Sequence, residues 1–323
     1  MYFERKIYGR LLEWKASERR KPLIVRGARQ VGKSTLIREF SNEYNSFIEI
    51  NLERKKDKDL FSLSSVKEIL EVLVLRENID LNKNEHLLFI DEIQESPNAI
   101  QMLRFFYEDY PGLHVICAGS LLEFALDDIE SFPVGRVQQL VLHPFDFEEF
   151  LNASGNIKAL EILNNLPVEH HYYDILTNLF HQYVIIGGMP EIIVNYVEKE
   201  SIAALNEIYE ELWQSYLDDI EKYGKNQTQK NVLRHIIQTA AHEKDRITMG
   251  GFGQSDYKSR EVGEALRALD KSRLIQLVYP VTSTEIPVQI DYSRKPRLQF
   301  LDTGILNYTL GTAREPAGEA LKN

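Results

Sequence analysis

The sequence feature that most constrains the fold is a glycine-containing loop at residues 27–34. It reads Gly-Ala-Arg-Gln-Val-Gly-Lys-Ser and matches the phosphate-binding pattern G-x-x-x-x-G-K-[ST]. The apolar run at residues 23–26 is typical of a buried strand, and Leu36, Ile37 and Phe40 after the loop have helical spacing. A strand, a glycine loop and a helix in this order aim backbone N–H groups at phosphate oxygens. The loop therefore predicts a nucleotide site in an α/β fold.

The residues predicted to contact the nucleotide run consecutively through this loop and into the helix. Lys33 is expected to reach the β- and γ-phosphates of ATP, and the Ser34 hydroxyl is expected to ligate Mg²⁺. The alternative is a glycine turn with a surface lysine, which the flanking strand and helix disfavour. The full predicted set is Gly27, Ala28, Arg29, Gln30, Val31, Gly32, Lys33, Ser34 and Thr35.

Two acidic residues follow a later apolar run. Residues 87–90 are apolar and lead directly into Asp91 and Glu92. Ligands of open parallel sheets bind at the carboxyl ends of the strands, so these acids are expected to face the phosphates. Asp91 is predicted to hold Mg²⁺ through water, and Glu92 to orient and polarise the attacking water. The alternative is a strand that simply runs into a solvated acidic turn.

Strands and helices alternate through the first 145 residues. Strands are predicted near residues 23–26, 47–52, 86–90, 113–118 and 136–142. A helix between the third and fourth strands is predicted to begin with Ser96 as its N-cap and Pro97 in its first position. This alternation predicts a parallel sheet flanked by helices.

The character of the sequence changes after Pro144. Residues 148–217 read as helical, with an interruption at residues 186–190. Two helices and then two strands follow, the second helix capped by Ser259, which is the outline of a winged helix-turn-helix. The predicted domains are a P-loop ATPase core at 1–145, an α-helical lid at 146–225, a winged-helix-like domain at 226–312 and a disordered tail at 313–323.

Two further residues lie next to predicted strands. Ser120 ends the fourth strand and either helps to position the lytic water or caps the next short helix, at residues 121–124. Arg136 precedes the fifth strand; a guanidinium offered to the transferring phosphate accelerates hydrolysis strongly, but spacing alone favours a surface arginine.

Composition bears on location and partners. The single cysteine, Cys117, lies in an apolar run, cannot form an internal disulfide and fits a reducing compartment. No run approaches the roughly 20 apolar residues that a membrane helix needs, and residues 1–6 carry charge where a signal peptide needs an apolar stretch. A cytoplasmic protein without a membrane partner is predicted.

By these motifs the chain resembles the archaeal and bacterial AAA-type ATPases that carry a C-terminal domain of unknown function, relatives of the STAND and replication-initiator ATPases. The resemblance covers nearly the whole chain. It is carried by the motifs at residues 27–34, 87–94, 118–122, 135–136 with 142–144, 187–190 and 300–304.

The resemblance implies four features. It implies a sheet with an inserted strand that carries Ser120 as a sensor of the γ-phosphate. It places Arg136 as an arginine finger that acts on a neighbouring subunit of a homo-oligomer. It places Gly188 and Pro190 in a lid motif near the base and sugar of the nucleotide, and it implies a winged helix after residue 225. Family members usually continue into a nuclease-like domain; the residues after 304 hold no such set of acids and a lysine, so nuclease activity is not carried over.

The second helix of the winged-helix candidate has a basic outer face formed by Arg260, Arg267 and Lys271 around Glu264. From Gln229 onward the chain has 14 basic and 11 acidic residues, whereas the whole chain has a net charge of −11. Weak, salt-sensitive DNA binding is one prediction, and a solvated helix face is the stronger alternative.

The leading hypothesis is an ATP-hydrolysing switch. A nucleotide-gated binding module with negligible turnover and a P-loop kinase for a small molecule are the alternatives; Glu92 argues against the first, and the acidic pair with the winged-helix-like tail argues against the second.

Overall fold

The computed structural model of the chain describes residues 2–81, 85–120, 122, 132–199, 205–224 and 226–311. The chain divides into two compact units, Tyr2–His143 and the part that begins at Pro144. The finer boundaries at residues 145, 225 and 312 stay predictions, and the tail at 313–323 lies outside the described residues.

The first unit is built on a parallel sheet. Its strands are, within the described residues, β1 (Leu23–Arg26), β2 (Ser46–Asn51), β3 (His86–Asp91), β4 (His114–Gly119) and β5 (Gln138–Val141). Their order across the sheet is β2-β3-β4-β1-β5, and all neighbours are parallel. The predicted parallel α/β sheet is therefore confirmed, and β4 lies between β3 and β1.

Helices flank this sheet. They are α1 (Ile7–Ala16), α2 (Lys33–Phe40), α3 (Lys55–Lys58), α4 (Val66–Glu77) and α5 (Pro97–Asp109). Helix α5 begins as predicted, because Ser96 Oγ accepts a hydrogen bond from the backbone N–H of Ala99 at 3.3 Å and Pro97 needs no partner for a backbone N–H.

The core of this unit lies against β3, all six residues of which are buried. Leu88 and Ile90 point to one face and pack in a cluster with Ile69 of α4 and Leu103 of α5. A central strand covered on both faces reads as an uninterrupted apolar run, which is why residues 87–90 lack the alternation of a half-exposed strand.

The fifth strand is shorter than predicted. It begins at Gln138. Arg136 lies in the turn before the strand, and the Arg136 backbone N–H donates to Pro133 O at 3.0 Å. Gly135 in that turn has a φ of +75°, which strand geometry does not allow.

The second unit begins with helices, as predicted. They are α6 (Phe147–Ala153), α7 (Ile157–Asn164), α8 (Tyr173–Ile186), α9 (Pro190–Lys199) and α10 (Asn206–Tyr223). The region is more interrupted than the sequence indicated: besides the break at residues 187–189, Gly155 with a φ of +74° separates α6 from α7, and residues 165–172 separate α7 from α8.

Two helices and a two-stranded antiparallel sheet follow. They are α11 (Gln227–Thr239), α12 (Ser259–Lys271), β6 (Ile275–Val278) and β7 (Arg297–Phe300), and α13 (Thr303–Thr309) comes after them. The Ser259 cap was wrong by one position, because Lys258 is the N-cap residue and Ser259 is the first helical residue. This order of elements is the predicted one; the winged-helix identity itself stays a prediction.

A buried aspartate joins two distant parts of the second unit. Asp302 precedes α13, is 5% exposed, and accepts hydrogen bonds from the backbone N–H groups of Gly188 at 2.5 Å and Ile305 at 3.0 Å. A Cβ on Gly187 would collide with the same carboxylate. Burial raises the pKa of Asp302, and the backbone donors oppose that rise. We call Asp302 with Gly187 and Gly188 the aspartate clamp.

Replacing Asp302 with asparagine is expected to lower the free energy of unfolding by about 2 kcal/mol. The amide is nearly the same size, but its NH₂ group cannot accept from a backbone N–H, so one buried donor loses its partner. Urea unfolding measures the loss, and hydrogen exchange of the backbone amides of residues 186–189 localises it. The exposed Asp256, replaced in the same way, is the control. Equal unfolding midpoints for the Asp302→Asn variant and the wild type would contradict the clamp.

Candidate nucleotide-binding site

The phosphate loop lies where the sequence predicted, between the end of β1 and the start of α2. Gly32 is the N-cap of α2 with a φ of +91°, a conformation that glycine adopts without strain. Gly27 packs so closely on the backbone of residue 142 that a Cβ would collide with the Leu142 carbonyl oxygen. The loop therefore packs on the segment after β5. The close packing at position 27 and the backbone conformation at position 32 both require glycine.

The other predicted loop residues divide by exposure. Ala28 and Val31 are buried and anchor the loop in the core. Arg29 is half-buried, and Gln30 and Thr35 are exposed.

Lys33 is the first residue of α2 and is only 7% exposed. Its Nζ donates to Ala28 O at 2.8 Å and to Gly27 O at 3.0 Å. Burial lowers the pKa of Lys33 to about 8, and the nearby carboxylates of Glu92 and Asp91 oppose the shift. A cation held against the loop backbone in this way is placed to receive an anion.

Ser34 and Asp91 bring the loop and the acidic motif together. Ser34 Oγ donates to Asp91 Oδ2 at 2.7 Å, and the backbone N–H of Glu92 donates to Asp91 Oδ1 at 3.1 Å. Asp91 is buried at the carboxyl end of β3. The two oxygen atoms predicted to face Mg²⁺ are thus adjacent.

Glu92 follows Asp91 in a left-handed backbone conformation, with a φ of +53°. Burial raises the pKa of its carboxyl, and the hydrogen bond from Gln94 opposes the rise. Non-glycine residues rarely adopt this conformation, and where they do it often serves a functional site. A carboxylate with a raised pKa is suited to accept a proton at neutral pH.

Ser120 follows β4 directly. In the sheet register Gly119 of β4 pairs with Arg26 of β1, the residue before the loop. Because β4 also pairs with β3, Ser120 lies at the edge that carries Gly27 and Asp91. Its role as a sensor stays a prediction, and the helix that it was alternatively expected to cap lies, apart from Leu122, outside the described residues.

Arg136 is ion-paired on the surface of the first unit. Its Nε donates to Glu108 Oε1 at 2.9 Å, and Arg104 binds the same carboxylate at 3.0 Å. The two guanidinium groups lower the pKa of Glu108. The Arg136 side chain is 45% exposed, so it remains accessible to a neighbouring molecule.

Gly188 and Pro190 belong to the second unit. Gly188 is buried, its carbonyl accepts from the Phe145 N–H at 2.7 Å, and its N–H donates to Asp302. Pro190 is half-buried and begins α9. The backbone of Gly188 is therefore engaged in packing, and contact of either residue with a nucleotide stays a prediction.

Two residues next to the site were not predicted to take part in it. Arg5 is buried and donates to Val31 O at 3.2 Å and to His143 O at 2.6 Å, which links the phosphate loop to the end of the first unit. Gln94 Nε2 donates a hydrogen bond to Glu92 Oε2. No spacing rule points to Arg5; for Gln94 the signal is its position two residues after the acid.

The basic face of α12 is partly neutralised. Arg260 donates to Glu264 Oε1 at 2.9 Å, one helical turn away. Arg267 and Lys271 lie further along the same helix. DNA binding through these residues stays a prediction.

Comparisons with known proteins agree with the parallel sheet and the phosphate loop of the first unit. A family model of an AAA domain matches residues 19–151, and a model of a domain of unknown function (DUF8612) matches residues 177–315. Together they span most of the chain. Among curated proteins, none matches the chain.

Solved structures of similar fold include the Walker-type ATPase of Pyrococcus abyssi. That likeness has a TM-score of 0.61 and 16% identity, and it covers 96% of each chain. RuvB, the Holliday junction branch migration motor of Thermotoga maritima, follows with a TM-score of 0.34, 12% identity and coverage of 90% and 93%. C. elegans PCH-2 has a TM-score of 0.29, 15% identity and coverage of 53% and 52%.

None of the helices in the described part of the chain has the length and apolar character needed to cross a membrane. At this level of identity the Pyrococcus likeness speaks to the fold, and the family models identify the domains. Residues 19–151 therefore belong to an AAA domain with the parallel α/β sheet of the P-loop AAA fold, and residues 177–315 match a domain of unknown function.

Proposed function

We propose that the chain binds ATP at residues 27–35 and hydrolyses it to ADP and phosphate. The observation that carries the proposal is the 2.7 Å hydrogen bond between Ser34 and Asp91. It joins the phosphate loop to the acidic motif at the edge of the sheet, next to Lys33 and Glu92 in the chain. These are the groups that phosphoryl transfer in P-loop proteins requires.

The site also suits a magnesium ion. Ser34 and Asp91 supply a hydroxyl and a carboxylate oxygen, which are hard ligands, and Mg²⁺ usually takes one or two such protein ligands together with phosphate oxygens and water. This donor set fits the ion, which when bound neutralises charge on the β- and γ-phosphates.

The proposed reaction assigns a task to each side chain. The carboxylate of Glu92 takes a proton from water while the water oxygen forms a bond to the γ-phosphorus. The bond from the γ-phosphorus to the β,γ-bridging oxygen breaks, its electron pair stays on ADP, and inorganic phosphate leaves. The ammonium of Lys33 counters the charge on the β- and γ-phosphates, and the Ser120 hydroxyl helps to hold the water.

We further propose that nucleotide state is read out by the second half of the chain. Closure of the helical lid at 146–225, with Gly188 and Pro190 next to the nucleotide, would be followed by rearrangement of the 226–312 domain on hydrolysis. The resemblance between the motifs at 187–190 and 300–304 and those of the AAA-type family supports this assignment.

Arg136 is proposed to complete the site of a neighbouring subunit in a homo-oligomer. The Arg136→Ala variant is then expected to lose about 100-fold in turnover while ATP still binds, because one fixed donor to the transition state is removed. A mixture of this variant with Glu92→Gln should recover turnover, since a mixed interface contains one intact Glu92 and one intact Arg136. Phosphate release, measured over a range of protein concentrations, tests both expectations.

The matched control is Arg104→Ala, which removes the other arginine bound to Glu108. Wild-type turnover in Arg136→Ala, or a mixture no more active than its two components, would contradict the action in trans. ATP binding by the wild type without any phosphate release would instead favour the nucleotide-gated binding module.

A further inference from the structure

We propose that Gln94 is a positioning residue for hydrolysis: its amide fixes the carboxylate of Glu92 while packing against the end of β4. This inference rests on the proposed ATPase function and adds a residue to the same site. The hydrogen bond of the Gln94 side chain goes to Glu92, so Gln94 acts through Glu92.

The first observation is a short hydrogen bond. Gln94 Nε2 donates to Glu92 Oε2 at 2.5 Å. The left-handed conformation of Glu92 is followed at once by a 3-10 turn, Ile93–Glu95, closed by a hydrogen bond from the Glu95 N–H to Glu92 O at 3.0 Å. This turn brings the side chain at position 94 back over the acid two residues earlier.

The second observation is the close fit of Gln94 on β4. A Cβ on Gly119 would collide with Gln94 Oε1 and would lie 3.5 Å from Ile93 Cγ2. The absence of a side chain at position 119 therefore makes room for the amide. Gly119 is the last residue of β4 and precedes Ser120, so the amide lies between the acid and the strand that carries the sensor candidate.

These contacts assign separate tasks to the two carboxylate oxygens. Oε2 is occupied by Gln94, and Oε1 is the atom that accepts the proton of the attacking water. A glutamate has three rotatable side-chain bonds, and fixing them before the reaction lowers the cost of reaching the reactive geometry. The amide nitrogen, rather than its oxygen, must face Glu92, because two acceptors would repel each other.

The test is a double-mutant cycle. Gln94→Leu keeps the bulk of the side chain and removes the donor; we expect kcat to fall about 30-fold with the dissociation constant for ATP within twofold of wild type. In the Glu92→Gln background, Gln94→Leu should change the residual kcat by less than twofold. A merely structural role of Gln94 would lower kcat in both backgrounds equally, which is the result that overturns the inference.

Two further variants complete the design. Gly119→Ala leaves Gln94 chemically intact but displaces its amide, so it should lower kcat without weakening ATP binding, and it keeps the test valid if Gln94→Leu does not fold. Gln101→Leu, on α5, is the matched control. If the wild type hydrolyses ATP and Gln94→Leu retains its kcat, this inference alone fails. If the wild type binds ATP and releases no phosphate, the ATPase proposal fails, and this inference falls with it.

Discussion

Lys33→Ala is expected to lower the affinity for ATP by about 1000-fold and with it all turnover at ordinary nucleotide concentrations. Lys33 is buried at the N-terminus of α2 with its ammonium against the loop carbonyls of Gly27 and Ala28. Losing a desolvated cation that faces a bound anion costs about 4 kcal/mol of binding free energy, which corresponds to the expected 1000-fold loss of affinity. Titration with a fluorescent ATP analogue in the presence of Mg²⁺ measures it.

The same substitution should have little effect on the fold. Burial disfavours the charged form of Lys33, as its lowered pKa indicates, so its removal relieves a desolvation cost in the nucleotide-free protein. The thermal unfolding temperature without nucleotide should therefore stay close to that of the wild type. Lys67→Ala, at an exposed position of α4, is the control. Undiminished ATP binding by Lys33→Ala would place the nucleotide elsewhere on the chain.

Glu92→Gln is expected to lower kcat by about 1000-fold with ATP binding preserved. The amide has the shape of the carboxylate and its oxygen can still accept from Gln94, but it cannot take a proton from water. Loss of general-base assistance typically costs 10²–10⁴ in rate. Single-turnover phosphate release from preloaded ATP isolates the chemical step from product release.

The control for Glu92→Gln lies three residues away. Glu95, in the same 3-10 turn, pairs with Lys58 at 3.4 Å, so Glu95→Gln removes a carboxylate without touching the candidate base. We expect wild-type turnover from it. Equal rates for Glu92→Gln and the wild type would show that another group is the general base. The positioning role proposed for Gln94 would then lose its support.

The fold of the first unit could be predicted from the sequence because its signals are local. The glycine loop, the apolar runs and the Ser96-Pro97 helix start each lie within a few residues, and each element formed close to where its pattern placed it. The adjacency of Ser34 and Asp91 also followed, since a parallel sheet brings the carboxyl ends of its strands to one edge.

The remaining contacts depend on backbone geometry and long-range packing. Gln94 reaches Glu92 only because Glu92 adopts a left-handed conformation, which no residue pattern announces. Arg5 meets His143 O across 138 positions, and Gly188 meets Asp302 across 114. The fifth strand was predicted to begin near Arg136 and begins at Gln138, because Gly135 with its φ of +75° belongs to a turn before the strand. Alternation of residue types carries no information about such pairings.

The aspartate clamp also has a consequence for how this sequence can diverge. A methyl group at position 187 would meet the Asp302 carboxylate, and one at position 188 would meet the backbone of Phe145. A side chain at either glycine position is therefore expected to disrupt the packing, and loss of the aspartate is expected to leave the buried Gly188 N–H without this acceptor. We therefore expect few substitutions at positions 187, 188 and 302 to be neutral, although the segments that carry them lie far apart in the gene.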